Sequence, residues 1–203
     1  MLEAPEIETR HAHTGHSRID LIIGVLAIVL SCVSVFIAIG HGRTMEKLVA
    51  ANTWPNIDYT TGNNADGEDR VTLDLRNTGV GPARIETFEV FYNGNPMPDS
   101  RALADACCGI NKESRKKLGP ISYTVDTVRN IVLPAREKLS FISVAKKQVP
   151  AQIWDAANTG RFNVEVKLCY CSVFDECWFY DSALPRPSRV DQCKPTQKIQ
   201  FEE

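Results

Sequence analysis

The hydrophobic and polar positions divide the chain near Gly40. From Leu21 to Gly40 the run "LIIGVLAIVLSCVSVFIAIG" holds twenty residues without a charge. At about 1.5 Å per residue, a helix of that length crosses a hydrocarbon core of about 30 Å. The pattern predicts a transmembrane helix over residues 20–40, because a buried helix this uniformly apolar needs a large domain to surround it on every side. The following "HGRTMEKLVAANTWP" contains good helix formers and no Pro until Pro55, so the helix is expected to continue as a stalk over residues 41–54.

After Trp54 the period changes to two. "NIDYT" reads as a first strand and "NNADGED" as a polar turn, and "RVTLDLRN" alternates Val71, Leu73 and Leu75 inward against Thr72, Asp74 and Arg76 outward. "TGVGP" is a turn, and "ARIETFEVFYNG" returns to strand with Ile85, Phe88, Val90 and Tyr92 among its apolar positions. Residues 96–120 are less regular and are expected to form a loop or short helix. "ISYTVDTVRNIVLPAREKLSFISVAK" resumes the strand pattern. "PAQIWDAANTG" carries Pro150 near a helix start and Gly160 at its end, which predicts one short helix. "RFNVEVKLCYCSV" is the longest strand, with Phe162, Val164, Val166 and Leu168 set against Asn163, Glu165, Lys167 and Cys169. One more strand can form near the C-terminus.

About seven short strands and one short helix predict a mainly β fold: a transmembrane helix followed by an immunoglobulin-like β-sandwich over residues 55–203. The segment "LRNTGVGPARI" resembles the link between early strands in immunoglobulin-like domains of bacterial surface proteins. With "CYCSVFDECW", it makes the chain similar to uncharacterised single-pass membrane proteins of proteobacteria that carry such a domain outside the cytoplasm. The resemblance implies a fold and a location, and no activity.

Composition narrows the partners. A net charge of −2 and a pI near 6.1 provide no basic surface for nucleic acid, so none is expected. Membrane lipid is the expected partner of residues 20–40, and an envelope protein that of the domain. The anchor shows no clear face of small residues, so the oligomeric state is left open.

A cleaved signal peptide competes with the anchor, since Ala38 and Gly40 form a small-x-small pair. The apolar run is longer than a usual signal core, however, and Glu3, Glu6 and Glu8 precede it. Cys32 reads as a small apolar helix residue. Basic residues flank both ends of the span, so they do not fix its orientation. Cysteine usage does: six of the seven cysteines lie after residue 100, which fits a C-terminal domain in an oxidising compartment. The expectation is a bacterial inner-membrane protein with residues 1–19 as a short cytoplasmic tail and the domain in the periplasm. His11, His13 and His16 in that tail are more economically solvated residues than metal ligands. The oxygen-rich "NNADGED" lacks the spacing of a calcium loop and is explained by a hairpin turn.

Cys107, Cys108, Cys169, Cys171, Cys177 and Cys193 are the disulfide candidates. Cys169 and Cys171 project from one strand face, and if "SVFDE" is a hairpin connection, Cys177 lies across from Cys171. Cys169 then needs a distant partner among Cys193, Cys107 and Cys108, and six cysteines allow 15 connectivities. Zinc is the second reading, although C-C and C-x-C lack knuckle spacing. Thiol–disulfide chemistry is the third, with no C-x-x-C present and adjacent Cys107 and Cys108 giving a strained, reducible bond if they pair. After the membrane segment the chain contains only His41, in the stalk, so a histidine-based hydrolase in the domain is excluded by counting. No cofactor, metal or enzymatic activity is expected. The candidate partner-binding residues are Arg115, Lys116 and Lys117 in the basic loop and Phe174, Trp178, Phe179 and Tyr180 in the aromatic hairpin. Ordinary core packing competes for Trp178.

Overall fold

The computed structural model describes residues 17–196 and 200–202, and the histidines of the N-terminal tail lie outside them. The chain divides into two compact units, Met1–Leu48 and Val49–Glu203. The first is dominated by helix α1 (Ser17–Asn52), whose 36 residues would extend about 54 Å. It is long and apolar enough to cross a membrane, a test that a signal sequence passes as well. Its helical course continues into the expected stalk and ends at Asn52, two residues before the expected limit at Trp54.

The second unit holds the remaining elements: β1 (Ile57–Ala65), β2 (Glu68–Asn77), β3 (Ala83–Tyr92), β4 (Asn95–Met97), α2 (Ser100–Cys108), α3 (Lys112–Leu118), β5 (Thr124–Val125), β6 (Val132–Leu133), β7 (Lys138–Ala145), α4 (Ala151–Gly160), β8 (Val164–Cys171), β9 (Cys177–Asp181) and β10 (Ser188–Val190). They form two antiparallel sheets in a sandwich-like arrangement. One has the order β1-β2-β7-β5; the other has β10-β9-β8-β3-β4, with β6 also paired to β3. Phe88, Phe141, Tyr170, Leu75, Ile85 and Leu168 are among the fully buried side chains of the core.

Local chemistry explains most boundaries. Asp66 and Gly67 both adopt positive φ, the geometry of a two-residue hairpin, so the oxygen-rich segment turns β1 into β2. In β3, a register shift between Ile85 and Thr87 inserts one residue. This bulge resets the alternation so that Ile85 and Phe88 both face the core, which a strict period of two does not allow. A comparable shift where β2 meets β7 buries both Phe141 and Ile142.

Three expectations need correction. Residues 96–120 form two helices, so the domain has three short helices instead of one. Asp99 caps α2 by accepting from Ala102 N–H, Gly109 ends it in the left-handed region, and Asn111 opens α3 in a capping box. Phe162 lies in a 3-10 turn before β8 and is 70% exposed. Thr72 and Asp74, assigned to the solvent face, are buried because their polar atoms are satisfied: Thr72 Oγ1 donates to Asp74 Oδ2 at 2.9 Å and Ser140 Oγ to Asp74 Oδ1 at 2.6 Å.

Candidate functional site

Two regions of the second unit gather the residues that sequence reasoning selected. The first is the outer face of the six-stranded sheet, where Cys169 and Cys171 project together from β8. Cys171 stands directly across from Cys177 of β9, and their Sγ atoms lie 2.06 Å apart. Cys169 reaches Cys193 of the C-terminal segment, 24 residues away in sequence, with Sγ atoms 1.98 Å apart. Both pairs are at disulfide distance. They form a small second core with Phe179 and Val190, separate from the main one. Cys107 and Cys108, at the end of α2, form a third pair at disulfide distance.

The Cys169–Cys193 link holds the C-terminal segment against the sheet, and further bonds continue the attachment. Glu89, buried on β3, accepts from Thr196 N–H at 2.7 Å and Gln200 Nε2 at 2.9 Å, and also from the Thr196 hydroxyl. β3 is paired at its two ends by β6 and β4, leaving an open stretch of edge between them. Gln200 and Phe201 occupy it: Phe88 N–H donates to Gln200 Oε1 at 3.2 Å, and Phe201 N–H to Phe88 O at 3.0 Å. The Phe201 ring then enters the core edge-on to Phe88 and Phe141. Beyond it, Glu202 pairs with the segment before α2. The cysteine clamp and this aromatic plug make the C-terminal segment part of the fold.

The second region is the end of the sandwich where the chain leaves α1. Asn77, with 0% exposure, organises it. Its Nδ2 donates to Gly81 O at 2.8 Å and Leu133 O at 3.0 Å, while its Oδ1 accepts from Gly79 N–H at 3.0 Å and Asn56 N–H at 3.2 Å. Trp54 O accepts from Val80 N–H and Gly81 N–H in turn. A Cβ on Gly81 would lie 1.9 Å from Thr53 O, so the close approach requires glycine. The "NTGVGPA" segment is therefore a socket for the incoming chain.

Around that socket lie several exposed apolar side chains, with the Arg84–Asp175 ion pair among them. Trp54, Val80, Val132, Val173 and Phe174 are each about half exposed, and they account for five of the nine exposed large hydrophobic residues described from Val49 onward. Topology places them together. Val80 lies against Trp54 through the backbone bonds just described, and Val132 sits opposite Arg84 at the start of β3. Arg84 also pairs with Cys171 in register, and its Nη2 binds Asp175 Oδ1 at 2.7 Å, which fixes the hairpin carrying Val173 and Phe174.

Of the aromatic hairpin candidates, only Phe174 belongs to this surface. The period of β9 turns Trp178 and Tyr180 inward. Trp178 stacks on Tyr170 with centroids 5.9 Å apart, and Tyr180 Oη accepts from Tyr59 N–H at 3.0 Å. Phe179 faces outward but is half-buried against the cysteines. Arg115, Lys116 and Lys117 lie exposed on α3, where Arg115 is tied to Ile121 O. They lie apart from the apolar end. Sequence reasoning missed Trp54, Val80, Val132 and Val173; the exposure of Val80 and Val132 follows from their positions at a turn and in a two-residue strand.

Burial governs the phenols of the core. It pushes Tyr170 up to about 12, and it raises Tyr59 and Tyr180 as well. Among the described residues, the sulfur atoms of Cys171, Cys177 and Cys193 lie within 4.8 Å of one another, and only if reduced to thiolates would they offer a soft-metal ligand set. No family model matches this chain, and no curated protein is significantly similar to it.

Proposed function

We propose that the protein is a membrane-anchored, non-enzymatic binding or assembly module of the bacterial cell envelope. In this reading α1 is an uncleaved inner-membrane anchor, and the domain is an immunoglobulin-like sandwich in the periplasm that engages an envelope protein. The observation that carries it is the apolar end of the sandwich. Trp54, Val80, Val132, Val173 and Phe174 gather around the socket, and exposed apolar side chains gathered in this way mark interaction sites. Three cysteine pairs at disulfide distance support an oxidising compartment.

The test is site-specific photocrosslinking in intact cells, using the full chain with the probe placed at Val80, Phe174, Phe162 or Leu184. Discrete adducts to one protein from Val80 and Phe174, and none from Phe162 and Leu184, are expected. An identical pattern from all four positions, or no adduct from any, refutes the reading. Membrane-impermeant maleimide labelling of the same cells checks location: the domain thiols should react only after reduction. A second reading, thiol–disulfide or zinc handling, draws on the clustered sulfurs of Cys171, Cys177 and Cys193. Stoichiometric zinc in the purified chain would favour it.

A further inference from the structure

The two cysteine pairs on the outer sheet face are not independent. Cys171 Sγ and Cys193 Sγ, which belong to different pairs, lie 3.7 Å apart, in van der Waals contact. The four sulfurs thus form a row: Cys169, Cys193, Cys171, Cys177. Cys169, Cys171 and Cys177 are buried, and only Cys193 is partly exposed. An external thiolate therefore meets Cys193 first.

We propose that this row is an exchange site that accepts two electrons from a dithiol and passes the vacancy inward by disulfide transfer. One thiolate of the dithiol attacks Cys193 Sγ, forming a mixed disulfide and displacing Cys169 as a thiolate. The second thiol of the dithiol attacks its own sulfur in that mixed disulfide, leaving as a cyclic or intramolecular disulfide and releasing the Cys193 thiolate. Cys193 Sγ then attacks the neighbouring Cys171 Sγ, forms a Cys171–Cys193 bond and displaces Cys177. The two protons of the dithiol finish on Cys169 and Cys177. The dithiol is oxidised by two electrons, one protein disulfide is reduced, and two of the three protein–protein sulfur partnerships have changed.

This transfer distinguishes the row from a pair of structural staples. Cys193 is bonded before and after, so the C-terminal segment stays attached to β8 while its point of attachment moves from Cys169 to Cys171. Both original bonds are broken and one new bond forms, so the hairpin carrying Val173 and Phe174 loses its Cys171–Cys177 closure. The thiols produced are Cys169, buried under the segment, and Cys177, at the base of that hairpin. The proposal depends only on the sulfur geometry and stands or falls apart from the binding role.

The experiment is partial reduction of the native full-length protein in detergent with substoichiometric dithiothreitol, followed by rapid alkylation and chymotryptic peptide mapping. Cleavage after Tyr170 and Phe174 separates Cys169, Cys171 and Cys177, and species are sorted by the state of Cys107 and Cys108. The expected majority product among singly reduced molecules has Cys171 linked to Cys193, with Cys169 and Cys177 alkylated. It should lose its dominance when the reduction is performed in denaturant. A majority with Cys171–Cys177 intact and Cys169 and Cys193 alkylated overturns the transfer. So does a majority with Cys169–Cys193 intact, or one with Cys177 linked to Cys193.

Discussion

Asn77 is the polar side chain on which the entry end of the domain turns. Fully buried, it uses both ends of its amide to hold Asn56, Gly79, Gly81 and Leu133. Asn77→Ala strands several buried backbone groups, and the expected loss is about 2–4 kcal/mol in a denaturant titration. A loss below about 0.5 kcal/mol would show that the socket forms without it. The phenols give a second expectation. Below pH about 10, Tyr59, Tyr170 and Tyr180 are protonated in both the folded and unfolded chains. Above it the unfolded chain releases protons that burial makes the folded chain keep, so stability falls as pH rises from about 10 towards 12. Tyrosinate absorbance should therefore gain amplitude together with the loss of near-ultraviolet circular dichroism; a complete tyrosinate signal in a still-native chain would contradict this. At this scale the sequence was partly legible. The shared face of Cys169 and Cys171 followed from the period of a strand, and Cys177 opposite Cys171 from reading "SVFDE" as a hairpin connection. The burial of Asp74 and the role of Asn77 did not, because each depends on partners more than fifty residues away.

Among the elements, the strands were easier to read than the helices. Alternation over Val71, Leu73 and Leu75, and over Val164, Val166 and Leu168, is a local signal, and these residues are buried as it requires. α2 and α3 carry their own local signals in Asp99, Gly109 and Asn111, but stretches of nine and seven residues are too short for periodicity to announce them. One more strand was expected near the C-terminus; the described residues give the short β10 and, at Glu202, a single bridge to Asp99. The attachment of the C-terminal segment rests on one disulfide-distance pair, the Glu89 bonds and one aromatic ring. Phe201→Ala removes that ring from contact with Phe88 and Phe141 and is expected to cost about 3–5 kcal/mol by thermal or chemical unfolding. If the loss is below about 1 kcal/mol, the segment is a surface strap and not part of the core.

For the whole molecule, the division near Leu48 matters most. The unit Val49–Glu203 has its own core, so a chain beginning at Val49 is expected to fold with the stability of the full-length domain to within about 0.5 kcal/mol. A chain beginning at Ile57 loses Trp54 and Asn56 from the socket and is expected to be about 1–3 kcal/mol less stable. Equal stability of the two would show that the socket does not contribute to folding. A long apolar helix followed by antiparallel sheets was legible from hydrophobic period alone. The clustering of Trp54, Val80, Val132, Val173 and Phe174 was not, because those residues come from four separate loops and edges that only the folded topology assembles.

The plug formed by Phe201 also sets the timing of folding during synthesis. A chain is made from its amino end, so every strand of both sheets emerges before the residue that fills the gap in β3. Until then Phe88 and Phe141 lack their third ring, and Cys169 lacks its partner, Cys193. The domain cannot reach its final core until Phe201 has left the ribosome. For that interval the middle of the β3 edge stands open, and an unfilled strand edge is a template for pairing with another chain that the finished domain no longer presents.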